Sequence, residues 1–192
     1  MAEPSRSSSD LRERLLEPAE AAELEAHGRT DAAVLIPMHG WPERPGLVFT
    51  ERRSDLKRHA GEISFPGGRR DENEQLLETA LREAEEEIGL SRDNVELVGA
   101  LPPIGTFVTN YKVHPFVGLI DQGMRFEPNP AEVESVLVAS LDDLAAGYER
   151  RRLVRRGVPI KTDTYLISDK LIWGATARIL ADLFRHLRRP LR

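Results

Sequence analysis

The stretch from Phe65 to Leu90 constrains this chain more than any other. It opens Phe65-Pro66-Gly67-Gly68, passes through an acidic lead-in and closes Arg82-Glu83-Ala84-Glu85-Glu86-Glu87-Ile88-Gly89-Leu90. The paired glycines break a strand and let backbone approach a ligand or metal closely. From about Asn73 the apolar residues recur at helical spacing, with Leu77, Leu81, Ala84 and Ile88 on one stripe. Gly89 is placed to stop that helix. At roughly 100° per residue, Glu83 and Glu87 stand one turn apart with Glu86 beside them, while Glu78 and Glu85 fall elsewhere. Like charges so spaced oppose helix formation by about 0.2–0.5 kcal/mol per pair. A cation relieves that repulsion, and oxygen-only ligands suit Mg²⁺ or Mn²⁺. A solvated acidic face is the competing reading. The glycine break, the Arg82-Glu83 pair and the terminating Gly89 favour a site.

These residues carry a resemblance. Gly68, Glu74, Arg82, Glu83, Glu86, Glu87, Gly89 and Leu90 fit the Nudix box, G-x5-E-x7-R-E-U-x-E-E-x-G-U, where U is a bulky apolar residue. Ala84 departs from it, a small residue at a U position that thins packing under the helix. The resemblance implies an α/β fold, the Nudix α/β/α sandwich around a mixed β-sheet. It also implies Mg²⁺- or Mn²⁺-dependent hydrolysis of a nucleoside diphosphate linked to another group.

Just upstream, Arg52, Arg53, Lys57, Arg58 and His59 form a basic cluster, suited to bind substrate phosphates opposite the acidic helix. The segment resembles the signature of the coenzyme A diphosphatase branch, L-L-T-x-R-S-x3-R-x3-G-x-V-x-F-P-G-G. Val48, Phe49, Thr50, Arg52, Gly61, Ile63, Phe65, Pro66, Gly67 and Gly68 are in register. Arg53 stands where that branch has Ser, and Lys57 where it has Arg, which keeps the charge but loses bidentate geometry.

Composition removes other classes. The chain has 192 residues, enough for one domain, and a net charge of −5 that argues against general nucleic-acid binding. It has no cysteine, hence no disulfide and no thiolate chemistry. No apolar run approaches a membrane span and no signal core opens the chain, so a cytoplasmic protein is expected. Residues 1–9 read as a disordered tail and 10–192 as a single domain, with the box at 68–90.

Elsewhere the pattern is coarser. A helix is expected from Asp10 to about Ala26, broken at Pro18, and strands at Ala32–Pro37 and Leu47–Glu51 in a hairpin. His39 and Trp41 read as packing residues in its loop. Further strands are expected at Val95–Leu101 and Val113–Ile120, the latter an edge or bulge because of Pro115. His114 reads as structural, and Tyr111 as a stacking candidate for a base or pantetheine arm. Glu132, after the Pro128-Asn129-Pro130 turn, is a candidate metal ligand or water-activating base. Ser140 caps a short helix, the Arg-rich Arg150–Gly157 holds an Arg-Arg-Gly turn between strands of a solvated hairpin, Tyr165–Ile167 is the last strand, and a helix from Ile172 to about Leu187 buries Trp173, Ala177, Leu180 and Phe184.

Together these expectations make Glu83 and Glu87 the principal metal ligands, with Glu86 a third or the proton acceptor and a Gly68 carbonyl completing the sphere. Arg82 orients the carboxylates through Glu74. Arg52, Lys57, Arg58 and Tyr111 contact substrate, a small molecule. The resemblance implies coenzyme A or acyl-CoA hydrolysed to 3′,5′-ADP and (acyl-)4′-phosphopantetheine. Alternatives are the same machinery acting on ADP-ribose, a dinucleotide or a nucleoside triphosphate, or a non-catalytic domain that senses coenzyme A or a nucleotide. A homodimer rests on the resemblance alone.

Overall fold

Residues 6–55, 61–106, 110–155 and 158–191 are described by the structure, a computed structural model. In chain order the elements are α1 (Arg6–Arg14), α2 (Pro18–Glu23), β1 (Thr30–His39), β2 (Gly46–Arg52), β3 (Ile63–Ser64), β4 (Gly67–Arg69), α3 (Leu76–Ile88), β5 (Glu96–Ala100), β6 (Ile104–Gly105) and β7 (Tyr111–Leu119). There follow β8 (Val133–Ser140), α4 (Leu141–Ala146), β9 (Tyr148–Arg155), β10 (Val158–Ile167), β11 (Lys170–Ile172) and α5 (Gly174–His186). The first helix begins at Arg6, ahead of the expected Asp10, and Ser8 is fully buried, so residues 6–9 of the segment read as a tail are helical, the rest of it lying outside the described residues. Pro18 opens α2, where its missing N–H costs nothing.

The main sheet is mixed. β1 pairs β7 in parallel over Thr30–Met38, and β2, β3, β4, β5, β6 and β8 join antiparallel. Alternation along each strand sorts residues to two faces. Ala33 and Leu35 of β1, Val48 and Phe116 meet Ala80, Ala84 and Ile88 of α3. Ala32, Ile36, Met38, Phe49 and Val117 join the opposite cluster with Ala177, Leu180 and Phe184 of α5. Helices on both faces of a mixed sheet give the α/β sandwich expected. The second sheet, β11-β10-β9, is tied to β2 by Lys170, whose Nζ lies 2.5 Å from Glu51 Oε1, and Ser135 Oγ donates to the same carboxylate at 2.7 Å.

Two strand expectations are corrected. Pro115 lies in a central strand, not an edge: β7 has β1 on one side and β5 and β6 on the other. The Pro115 carbonyl accepts from Leu101 N–H at 3.0 Å, and its absent N–H faces the place where β5 gives way to Pro102-Pro103. The chain's last strand is β11, and Tyr165–Ile167 only ends the ten-residue β10, which pairs with β9 from Val158↔Arg155 to Tyr165↔Tyr148. Arg150–Arg155 belong to β9, antiparallel to β10 as the expected hairpin requires, and the last two residues of its Arg-Arg-Gly turn lie outside the described residues.

Candidate active site

α3 begins at Leu76, three residues later than the apolar pattern suggests, because Gln75 serves as its cap and Glu78 reaches back to the Gln75 N–H at 3.1 Å. It ends at Gly89 with φ 67°, a left-handed conformation that glycine adopts without penalty, and Leu90 N–H returns to the Ala84 carbonyl at 3.3 Å. The buried arc is Thr79, Ala80, Ala84, Glu87 and Ile88, with Leu77 and Leu81 only half-buried at its flank. Ala84 is fully buried, so the small residue lets α3 lie close on the sheet instead of leaving packing thin. A further consequence is that Glu87 is drawn under the helix.

The carboxylates divide by depth. The Glu87 residue is 9 % exposed, the Glu83 side chain 18 % and the Glu86 side chain 58 %. Glu78 and Glu85 point to solvent, as the helical angles require. Burial, then Glu83 and Glu132, push the Glu87 carboxyl up to about 8, partly offset by Gly67 N–H donating to Oε2 at 3.3 Å and by Arg52. Burial also raises Glu83, against the pull of Arg82. Gly68 makes room for the Glu83 carboxylate, which a Cβ there would displace.

Arg82 is the hub. Its Nε donates to Glu74 Oε1 at 2.8 Å and its Nη2 to Glu74 Oε2 at 3.1 Å, a bidentate grip. Nη1 donates to Glu83 at 2.9 Å and to Glu86 at 3.2 Å, and Nη2 also reaches the Arg69 carbonyl at 3.3 Å. Arg82, Thr79 and the Asp71 N–H hold the Glu74 carboxyl down at about 2. Arg82 thus orients two acidic side chains and fixes the glycine strand β4 against α3.

β2 and the start of β8 supply the facing wall. Thr50 Oγ1 lies 3.3 Å from Ser64 Oγ, and Phe49 stacks on Phe65 at 4.7 Å, which sets β2 beside the strand entering the glycines. Arg52 donates to Glu132 at 3.2 Å, and both act electrostatically on Glu87. Arg53 was read from sequence as part of the basic cluster and as a departure from a signature. It holds the segment before β8: its N–H donates to the Glu132 carbonyl at 3.0 Å and its Nη1 to the Pro130 carbonyl at 2.5 Å. Asn129 N–H in turn donates to the Glu87 carbonyl at 2.9 Å. No local pattern announces these contacts, although the Pro128-Asn129-Pro130 turn marks the segment.

Of the expected site residues, Glu83, Glu86, Glu87, Arg82, Gly68, Arg52 and Glu132 come together. Tyr111 does not: it packs against the α5-side cluster, on the sheet face away from α3. Strand phase decides this, since Val113 and Val117 share its face. Lys57 and Arg58 lie outside the described residues. His114 is buried and pushed down to about 4 by that burial, in keeping with a structural role.

Among the described residues, no three Asp, Glu or His side chains already stand gathered as a metal cage. The donor set nonetheless fits a hard divalent cation by its chemistry. It offers carboxylate oxygens only, and burial, with repulsion from neighbouring carboxylates, raises the proton affinity of Glu83 and Glu87.

A glycine strand, a carboxylate-bearing helix and an arginine hub thus meet at one place on the sheet. The NUDIX domain profile matches residues 28–157. The uncharacterised Nudix hydrolase NudL of Pectobacterium atrosepticum is 38% identical over 160 residues, 82% of each chain, and that of Citrobacter koseri 38% over 162 residues, 83% of each. A MutT/nudix family protein of Enterococcus faecalis shares the fold at a TM-score of 0.55 and 16% identity, covering 97% of this chain and 76% of that one. The chain belongs to the Nudix hydrolase family, pyrophosphohydrolases of nucleoside diphosphate derivatives that generally use divalent cations such as Mg²⁺ or Mn²⁺.

Proposed function

We propose that this enzyme hydrolyses the pyrophosphate of coenzyme A or an acyl-CoA to 3′,5′-ADP and (acyl-)4′-phosphopantetheine. One observation carries the reading beyond the family. The described residues of the upstream signature lie on the antiparallel strands β2 and β3 and on the chain that runs from β3 into the glycine turn, with Arg52 beside Glu132 near the carboxylates. That location supports a role for the signature in selecting substrate.

Glu87 and Glu83 would hold the cation, with Glu86 and a Gly68 carbonyl as further donors. A divalent cation bound there screens the phosphoryl oxygens and acidifies a water. The chain's own groups do the rest. Glu86, exposed and adjacent, accepts the proton from the attacking water, or Glu132 does so from the facing wall. Arg82 keeps Glu83 and Glu86 in place through Glu74. Arg52 binds a phosphate oxygen of the substrate.

The test is a panel of coenzyme A, acetyl-CoA, ADP-ribose, NADH and dGTP with Mg²⁺ and Mn²⁺, products resolved by ion exchange. The best kcat/KM on coenzyme A with 3′,5′-ADP released supports the proposal. A better kcat/KM on ADP-ribose or a nucleotide overturns the substrate, and binding of coenzyme A with no turnover of any compound overturns the chemistry.

A further inference from the structure

Glu83, Glu86 and Glu87 are placed by a helix, and Glu132 has no such support. It follows the Pro128-Asn129-Pro130 turn, and Pro128, Pro130, Ala131 and Glu132 are all exposed, so burial does not fix this stretch. Hydrogen bonds do. On the α3 side, Asn129 N–H donates to the Glu87 carbonyl at 2.9 Å, and the Asn129 carbonyl accepts from Glu132 N–H at 3.1 Å and from Val133 N–H at 2.9 Å. On the β2 side Arg53 does the holding, its N–H on the Glu132 carbonyl and its Nη1 on the Pro130 carbonyl. The rest of the guanidinium is occupied by Asp55: Nε donates to Oδ1 at 2.9 Å and Nη2 to Oδ2 at 2.6 Å. That two-point grip sets the plane of the guanidinium and so the direction of Nη1. A serine, which the coenzyme A signature has at this position, is too short to span Asp55 and Pro130 together.

We infer that Arg53 is a positioning residue for the hydrolysis: through the Pro130 carbonyl it holds the chain that carries Glu132, and so keeps that carboxylate beside Glu83 and Glu87. The inference rests on the hydrolytic reading proposed for the site. Glu132 stands near enough to Glu83 and Glu87 to act on both electrostatically. Its side chain has one partner besides, Arg52, at 3.2 Å in a pair that is 35% and 50% exposed. Such a pair holds weakly, and a substrate phosphate bound to Arg52 competes for it. The clamp from Arg53 acts on backbone and does not depend on that pair, so it persists when substrate is bound.

The experiment uses the full chain and compares Arg53→Ala, Glu132→Gln and the double variant. Amide hydrogen exchange reads the clamp directly. In Arg53→Ala the Glu132 and Val133 N–H groups should exchange about tenfold faster or more, while the rest of β8 keeps its wild-type rate and shows the fold intact. Kinetics are measured with Mg²⁺ on whichever compound of the substrate panel is turned over fastest. Arg53→Ala should lower kcat about 10–100-fold with KM within about twofold. Glu132→Gln should also lower kcat, and adding Arg53→Ala to it should change kcat by less than about twofold, because the clamp acts only through the carboxylate already removed. If Arg53→Ala does not fold, Asp55→Ala, which loosens the same guanidinium without removing it, is read in its place. Unchanged exchange at Glu132 and Val133, a raised KM with kcat unchanged, an Arg53 penalty undiminished in the Glu132→Gln background, or full activity in Glu132→Gln overturns the inference. A best substrate other than coenzyme A leaves every arm readable. A chain that turns over nothing fails the proposed chemistry, and the exchange measurement then decides whether Arg53 holds Glu132.

Discussion

The two faces of the main sheet are covered by helices of equal length that work in opposite ways. α5 contributes Ile179, Leu180, Leu183 and Phe184 to a large apolar cluster that also holds Phe49, Phe65 and Tyr165. α3 approaches through Ala80 and Ala84, and beside them it buries a carboxylate. One face gains free energy from area removed from water, about 1.5–3 kcal/mol for each large side chain. The other holds anions in a crowded, dry place, which is unfavourable until a cation or a proton neutralises them. Stability resides largely on the α5 face and chemistry on the α3 face, and the sheet between them keeps the two from compromising each other.

The strongest way to break that comparison is Glu87→Gln. Activity should fall by two to four orders of magnitude, about 3–5 kcal/mol of barrier, while the fold survives. Activity within a factor of about three of wild type, less than 1 kcal/mol, would remove Glu87 from the site. The same variant should change stability against pH in metal-free protein. With its folded pKa raised to about 8 from 4.5, Glu87 carries no penalty at low pH, where both states are protonated. As pH rises from 4.5 through 8 the unfolded chain releases a proton that the folded one retains, so stability falls across that window. Glu83, also raised, adds to the decline. Glu74 acts in the opposite sense: its stabilisation, present above 4.5, is lost only as pH falls toward 2. Chemical denaturation from pH 4.5 to 8 should show the decline in wild type, a flatter curve in Glu87→Gln, and stabilisation by Mg²⁺ that grows with pH only in wild type.

On the α5 face, Leu180→Ala should cost about 2–5 kcal/mol of stability by leaving a cavity. Measured well below its melting temperature, kcat should be unchanged. A kcat that fell with stability would mean the faces are coupled. Gly68→Ala tests the seam between them. Its added methyl meets the Glu83 carboxylate, so kcat is expected to drop about 10–100-fold, the scale of an ångström-level misplacement, with little loss of stability.

The α3 face was the more legible in sequence, and the reason is physical. A helix repeats every 3.6 residues, so spacing alone places Glu83 with Glu87 and sends Glu85 away. Gly68 and Gly89 mark where backbone needs freedom or room. The arc was legible only to within a residue or two, because Ala80 and Thr79 carry no apolar signal. The rest depends on partners distant in sequence. Tyr111 differs from a substrate contact only by strand phase, which no single sequence fixes. The β9–β10 hairpin was legible at its Arg-Arg-Gly turn but not in its extent, because Arg150, Arg151 and Arg152 break the alternation that burial on one face imposes, and their strand is largely exposed. Arg53 is invisible as a clamp on Pro130 because 77 residues separate them.

The smallest expected effect sharpens the comparison most. Glu85 lies on the same helix as Glu87, two residues away, with the same charge, but it faces water. Its carbonyl accepts from Gly89 N–H at 2.9 Å. Glu85→Gln should leave stability within about 0.5 kcal/mol, as exposed substitutions do, and kcat within a factor of about two, under 0.5 kcal/mol of barrier. If burial beside other carboxylates is what makes an acidic residue on α3 functional, the two glutamines must differ by at least fiftyfold in activity, about 2.3 kcal/mol of barrier. A comparable loss in both would mean that the total negative charge of the helix governs catalysis, and the distinction drawn from depth would fail.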